Sequence, residues 1–206
     1  MRTLVIDSAT EACSVALLEG DDCIAGEYRV LGRGHAEQLV PMIARLPGKG
    51  QAGRIALSLG PGSFTGVRVG LAAARALAFV WQAQLVGYPT LALVAAMARA
   101  REGALAVAVA MTGGHGEWFV QGFAADGAEP RPLASLRPDE AVAATPEEIV
   151  AGSQAEALVA ARGHGRALPL LPDARCFALL PETALLARTT PLYGRAPDAR
   201  LPGGAP

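Results

Sequence analysis

Eleven residues, Gly60-Pro61-Gly62-Ser63-Phe64-Thr65-Gly66-Val67-Arg68-Val69-Gly70, join an apolar run at Ile55 to Leu59 to an alanine-rich run at Leu71 to Val80. A glycine turn between a strand pattern and a helix pattern either cradles a phosphate on free N–H groups or lets two backbones touch. The phosphate versions fail on spacing. Gly60 and Gly62 fit the first two places of GxGxxG, but Thr65 stands where the third glycine belongs. No Lys-Ser or Lys-Thr follows, as a Walker A loop requires, and Pro61 and Thr65 flank Ser63 where a nucleophile elbow needs glycines.

Contact between backbones fits the spacing better. Gly62, Gly66 and Gly70 recur every four residues, and Ala73, Ala74 and Leu77 continue the series, so a helix through them carries a smooth stripe of small side chains. Each interior helical glycine costs about 1 kcal/mol relative to alanine, so Gly66 and Gly70 together need about 2 kcal/mol of compensation from close packing. The neighbour is either the chain's own sheet or a partner. Arg68 and Arg75, the only charges between Gly66 and Met97, lie seven residues apart on one helix face and favour a partner. A bulky side chain at Gly66 is then expected to abolish pairing and leave the chain folded.

At 206 residues the chain can bury one large core or two small ones. A hydrophobic share of 51% and a mean hydropathy of +0.31 raise the question of a membrane segment. The longest uncharged stretch, Ala76 to Ala98, is divided by Gln82, Gln84, Gly87, Pro89 and Thr90, so no spanning segment is expected. The start Met1-Arg2-Thr3-Leu4-Val5-Ile6-Asp7 lacks the apolar core and cleavage pattern of a secretory signal, and a cytoplasmic location is expected. A net charge of −1 with no run of like charges gives little grip on a polyanion, so any nucleic acid would be held mostly by a partner. Cys13, Cys23 and Cys176 form neither a disulfide framework nor a zinc spacing, and Cys13 is expected in a strand as a small apolar residue. His35, His115 and His164 are dispersed, with no HExxH and no pair at helical spacing, so no metal site is expected.

Leu4 to Ile6, Cys13 to Leu18 and Ile24 to Val30 read as an antiparallel meander, with Asp7 to Ala12 as its first turn. His35 to Leu46 places Leu39, Met42, Ile43 and Leu46 at helical spacing, with Pro41 as a kink or late start. A strand at Arg54 to Leu59, the glycine turn with its helix, a short strand at Leu85 to Gly87 and a helix capped by Thr90 and reaching Arg101 complete an α/β lobe, residues 1–102. A smaller lobe, residues 103–200, opens with a hairpin of Ala104 to Met111 and Glu117 to Phe123 around Thr112-Gly113-Gly114-His115-Gly116. Residues 124 to 138 read as loop, Thr145-Pro146-Glu147-Glu148 as a helix start, Ala157 to Ala161 as a strand before the Gly163-His164-Gly165 turn, and Glu182 to Arg188 as a last helix. Asp, Pro and Gly dominate from Pro197, and residues 201–206 read as a tail. The sequence repeats nothing directly, although a strand-strand-strand-helix start in both halves could hide a structural repeat.

The turn Asp7-Ser8-Ala9-Thr10 is a second candidate site. An aspartate at a strand end, followed by hydroxyls and backbone N–H groups, can hold a magnesium-bound phosphate, which makes Asp7, Ser8 and Thr10 candidate nucleotide contacts. The alternative is an ordinary Asx or Ser/Thr turn that needs no ligand.

The segments Ile6-Asp7-Ser8-Ala9-Thr10-Glu11-Ala12-Cys13-Ser14-Val15-Ala16-Leu17, His35 to Pro41 and Gly60 to Arg68 closely resemble the bacterial TsaB (YeaZ) family. Pro191-x-Tyr193-x-Arg195-x-Pro197-x-Ala199 is similar to that family's ending, so the resemblance is close over residues 1 to about 95 and thin in the second half. It implies an α/β, actin-like ATPase (ASKHA, RNase H-like) fold of two lobes with mixed sheets flanked by helices. It implies a part in making threonylcarbamoyladenosine (t6A) beside the anticodon of tRNAs. The partner would be TsaD, a related subunit that carries the metal and transfers the threonylcarbamoyl group from its AMP-activated form, with TsaE joining as an ATPase. In the family, the helices here at His35 to Leu46 and Thr65 to Val80 form a bundle with TsaD, or with a second copy in homodimers. The interface implied takes His35, Leu39, Met42 and Ile43 from the first helix. From the turn and second helix it takes Gly62, Phe64, Thr65, Gly66, Arg68, Val69, Gly70, Ala73 and Arg75.

A non-catalytic scaffold follows, with no catalytic residue or metal of its own, no required cofactor beyond weak ATP or ADP and magnesium, no membrane, and tRNA contact only through the complex. The second half departs from the pattern. Family members often carry an Asp-Ala-Arg-like segment before a Gly-Glu pair, whereas Thr112-Gly113-Gly114-His115 precedes Gly116-Glu117, and the Tyr-Leu-Arg ending has become Tyr193-Gly194-Arg195. TsaD-like histidine pairs are missing, which argues against the peptidase activity implied by an old glycoprotease label on relatives. The enzyme alternative is an ASKHA-like ATPase or kinase using Asp7 and Thr10, with Thr112 to Gly116 as its second phosphate loop.

Overall fold

Both faces of the first two strands are covered, which is why they read as unbroken apolar runs. β1 (Arg2–Asp7) and β2 (Ala12–Glu19) are buried except at one end each, and β3 (Asp22–Val30) forms the exposed edge of the expected meander. The computed structural model describes residues 1–194. β4 (Arg54–Ser58) joins β1 in parallel on its other side and β5 (Gln84–Tyr88) follows it, giving the order β3-β2-β1-β4-β5. α1 (His35–Arg45) leads from β3 toward β4, and α2 (Phe64–Trp81) makes the crossover between β4 and β5.

α2 begins at Phe64 and not after the glycine turn, because Ser63 caps it: the Ser63 hydroxyl accepts from Gly66 N at 3.3 Å. At 18 residues α2 is the one helix among the described residues long and apolar enough to cross a membrane by length and composition. The sequence reading located no such segment because it divided the chain at charges and turns rather than following this helix through Arg68 and Arg75.

α3 (Thr90–Glu102) lies between the two halves, buried at every position from Thr90 to Ala98. Thr90 does not cap it. Pro89 holds the cap position, and the Thr90 hydroxyl instead lies 2.6 Å from the Ser58 hydroxyl. The second half comprises β6 (Val107–Thr112), β7 (Trp118–Phe123), β8 (Arg131–Leu136), α4 (Pro138–Ala144), β9 (Ile149–Ala151), α5 (Ala155–Arg162) and β10 (Arg166–Leu168). Its sheet runs β8-β7-β6-β9-β10, with two antiparallel and two parallel pairings, and so repeats the topology of the first. Two such sheets, each a meander extended by parallel strands and flanked by helices, make the actin-like (ASKHA, RNase H-like) architecture.

Four local expectations fail in this half. Residues 131–136 pair with β7 as an edge strand, where Pro132 is tolerated because one side needs no ladder N–H. Thr145-Pro146-Glu147-Glu148 starts no helix: the Thr145 hydroxyl donates to Ala141 O at 2.7 Å, closing α4, and Glu147 pairs with Arg131. Ala157 to Ala161 is the middle of α5, stopped by Gly163 at φ 80°, and not a strand. Glu182 to Arg188 gives only a short 3-10 turn at Glu182–Ala184, after which Leu186 bridges to Gly87. The Asp-, Pro- and Gly-rich tail lies outside the described residues.

A single core runs between the sheets. Val5, Leu18 and Tyr88 from the first sheet meet Leu91, Leu93 and Val94 of α3, then Val109, Phe119 and Phe123 of the second sheet. Phe177, from a 3-10 segment at Ala174–Leu179, closes over Tyr88 with ring centroids 5.5 Å apart. The far face of the first sheet carries a separate core under α1 and α2, and that of the second a smaller one under α4 and α5.

Candidate functional site

The β1–β2 turn and the start of α2 are stitched together backbone to backbone. Ser63 N donates to Ala9 O at 2.6 Å, and the Ser8 hydroxyl donates to Gly66 O at 2.9 Å. A Cβ on Gly62 would run into the Ala9 carbonyl, one on Gly66 into the Ser8 carbonyl, and one on Gly70 into the Ser8 hydroxyl. The small-residue stripe therefore faces this chain's own turn, and the glycines are withdrawn from the partner surface. Gly66 and Arg68 differ by two positions, about 200° around a helix. The stripe and the arginines thus belong to opposite faces.

All four interface residues expected on α1 are interior as well. Leu39, Met42 and Ile43 are core, and His35 is buried with Nε2 donating to Ala12 O at 3.3 Å. Val69 and Ala73 are half-buried against the same core. Phe64, Thr65, Arg68 and Arg75 are exposed. In phase with the arginines, sequence reasoning missed Phe79, 78% exposed, and its neighbour Val80, 72% exposed; Val40 of α1 is 56% exposed. The available signal was the arginines themselves: Arg68, Ala72, Arg75 and Phe79 follow helical spacing, so apolar residues in their phase face outward.

Arg68 and Arg75 also meet the C-terminal segment. Leu192 N donates to Leu59 O at 2.8 Å, Arg75 Nη2 donates to Thr189 O at 3.1 Å, and Arg68 Nη2 donates to the Tyr193 hydroxyl at 3.3 Å. The Arg68 guanidinium lies 3.4 Å from the centroid of the Phe64 ring. At Gly194 this strap lies against Phe119 of the second sheet, so it spans both halves.

Between the halves lies a cleft of about 790 Å³. Thr10 and Glu11, Pro61 to Phe64, Arg68, Thr112 to His115, Phe119 and Tyr193 are among the residues that line it. Of the three nucleotide candidates, Thr10 alone reaches this cleft, and its hydroxyl accepts from Ala12 N at 3.2 Å. Ser8 is committed to Gly66, and Asp7 is wholly buried: Oδ1 accepts from Ala9 N at 3.1 Å and Oδ2 from the Tyr88 hydroxyl at 3.1 Å. Burial pushes the Asp7 carboxyl up to about 6, against the lowering effect of Ala9 N–H and the Tyr88 and Ser58 hydroxyls. Asp7 and Ser8, expected as nucleotide contacts, here hold the turn and lie outside the lining of the cleft. Cys13 lies in β2 as expected, fully buried, its thiol pushed up to about 12 by that burial. The described residues contain no group of three or more His, Cys, Asp or Glu side chains able to hold a metal.

A family model described as TsaD, tRNA N6-adenosine threonylcarbamoyltransferase, matches residues 29–133, half of the chain. The chain belongs to this family. Proteins similar to it carry the names TsaB and YeaZ. The Escherichia coli (strain K12) protein named tRNA threonylcarbamoyladenosine biosynthesis protein TsaB is 37% identical over 124 residues, 58% of this chain and 53% of that protein. The Haemophilus influenzae protein of the same name is 42% identical over 85 residues, 38% of this chain and 35% of its own. The matches thus span about half the length of these curated relatives or less. Along the whole fold, the solved structure named YeaZ from Pseudomonas aeruginosa superimposes with a TM-score of 0.76 at 29% identity, covering 93% of this chain and 99% of that one. In this TsaB-type chain the family match runs from the end of β3 into β8 and so takes in α1, α2 and α3.

Proposed function

We propose that this chain is a non-catalytic subunit of the machinery that makes t6A in tRNA, and that it works by pairing with a TsaD-type transferase through the outer faces of α1 and α2. The observation that carries the reading is the exposed ridge of Val40, Phe79 and Val80 on two adjacent helices. Large apolar side chains left this exposed on neighbouring helices mark a surface that a partner covers. The relatives' names supply the pathway, since each is called a t6A biosynthesis protein. The accessory role is supported by Asp7 and Ser8, which a magnesium-phosphate site would draw on but which are already bonded inside the chain. On this reading a TsaE-like ATPase joins the pair and tRNA is reached through the complex. Two copies pair only when TsaD is missing, no cofactor is required, and the chain works in the cytoplasm away from any membrane.

The test is co-purification with the cognate TsaD-type subunit. Wild type should capture it, and Phe79→Asp should not, at an unchanged melting temperature. A wild-type chain that fails to capture it would overturn the reading. The cleft favours a second reading, an ASKHA-like ATP-binding enzyme. Calorimetric titration with magnesium-ATP is expected to give no tight binding; tight binding with turnover to ADP would favour the enzyme.

A further inference from the structure

The outer edge of α2 carries two guanidiniums and no carboxylate anywhere along its length. Arg68 is stacked on Phe64 and bonded to a phenol, and Arg75 is bonded to a backbone carbonyl, so both acceptors are neutral. Neither arginine forms an ion pair among the described residues, although Arg45 on α1 is tied to Glu27 by two bonds of 2.9 Å. α1 adds one carboxylate, Glu37, which forms no ion pair among the described residues. Each guanidinium commits one N–H to the strap, and its planar fork keeps further donors for a carboxylate from outside.

We propose that this face is built for a partner helix pair that brings carboxylates to Arg68 and Arg75, and so selects an acidic-edged heteropartner over a second copy of this chain. The inference rests on the pairing reading above and gives that partner its chemistry. A two-fold pair of identical chains would bring four guanidiniums together with two Glu37 carboxylates, leaving excess positive charge beside an apolar seam from which water is excluded. A partner edged with Asp or Glu turns the same arginines into specificity elements and speeds encounter through charge.

Association with the cognate TsaD-type subunit should be measured in low and high salt for wild type, Arg68→Glu with Arg75→Glu, and Arg68→Lys with Arg75→Lys. Self-association should be followed by sedimentation in parallel. Charge reversal is expected to slow association about tenfold or more in low salt and to invert its salt dependence, so that added salt speeds it, whereas the lysine variant keeps the wild-type dependence. Wild type is expected to self-associate more weakly than it binds the heteropartner. Far-UV circular dichroism and melting temperature check that every variant is folded. If reversal leaves the rate and salt dependence unchanged while Phe79→Asp still abolishes binding, the charge inference falls and the pairing reading stands. If wild type binds itself more tightly than the heteropartner, the inference falls as well; if wild type does not bind the heteropartner at all, both fall.

Discussion

Asp7 shows how one buried residue ties the site together and at what electrostatic cost. Its carboxyl fixes the β1–β2 turn through Ala9 and the end of β5 through Tyr88, and that turn is the surface against which Gly62, Gly66 and Gly70 close. Because burial raises the folded-state value from 3.8 to about 6, the folded chain holds this proton more tightly than the unfolded chain does. The Asp7 contribution to stability is therefore greatest at acid pH, declines as pH rises from 3.8 to about 6, and is constant above that. A shift of this size corresponds to about 3 kcal/mol. Asp7→Asn should remove the penalty, since Tyr88 can donate to Ile6 O, 3.3 Å away, and accept from the new amide. Urea unfolding at pH 7.5 or so should find the variant about 1–3 kcal/mol more stable than wild type, with a flattened profile between pH 4 and 6. Parallel pH profiles would refute the assignment. Gly66→Ala drives a methyl into the Ser8 carbonyl, and chemical denaturation should register a loss of about 1–3 kcal/mol. The spacing of these glycines was legible in the sequence. Which backbone they touch was not, because the sequence expectation that a bulky residue at 66 spares the fold assumed a neighbour outside the chain.

Among the elements, α2 decides most. It buries Gly66, Val67, Gly70, Leu71 and Ala74 on one side and exposes Arg68, Arg75, Phe79 and Val80 on the other. Phe79→Asp removes only exposed surface, so thermal melting should change within about 0.5 kcal/mol while partner capture is lost. A variant that melts markedly earlier would mean the ridge supports the fold itself. The meander, α1 and the crossover were readable because apolar period and turn residues agree there. In the second half they compete. β8 is an edge strand with mixed exposure, and α5 is an alanine-rich run too short for its period to separate helix from strand. The capping residues at 145–148 serve the end of one helix and an ion pair instead of the start of another.

At the scale of the whole molecule, two sheets of the same topology share one core through α3. A cut at residue 102 would strip α3 and the first sheet of Val109, Phe119, Phe123 and Phe177, leaving buried positions of α3 open to water. A fragment of residues 1–102 is therefore expected to lack a cooperative thermal transition, whereas the full chain unfolds in one step seen alike by circular dichroism and fluorescence. A sharp transition in the fragment would show that the halves fold independently. Local residue order by itself determined the antiparallel meander of the first sheet, the helix that follows the glycine turn and the family to which the chain belongs, because each rests on a motif or period contained within a few tens of residues. Only the tertiary structure decided which way the glycines face, that Asp7 is interior, and that Phe79, Val80 and Val40 remain uncovered. Burial depends on what the rest of the chain packs against each residue, and Ser8, Tyr88 and the strap at Thr189 to Gly194 come from points remote in sequence.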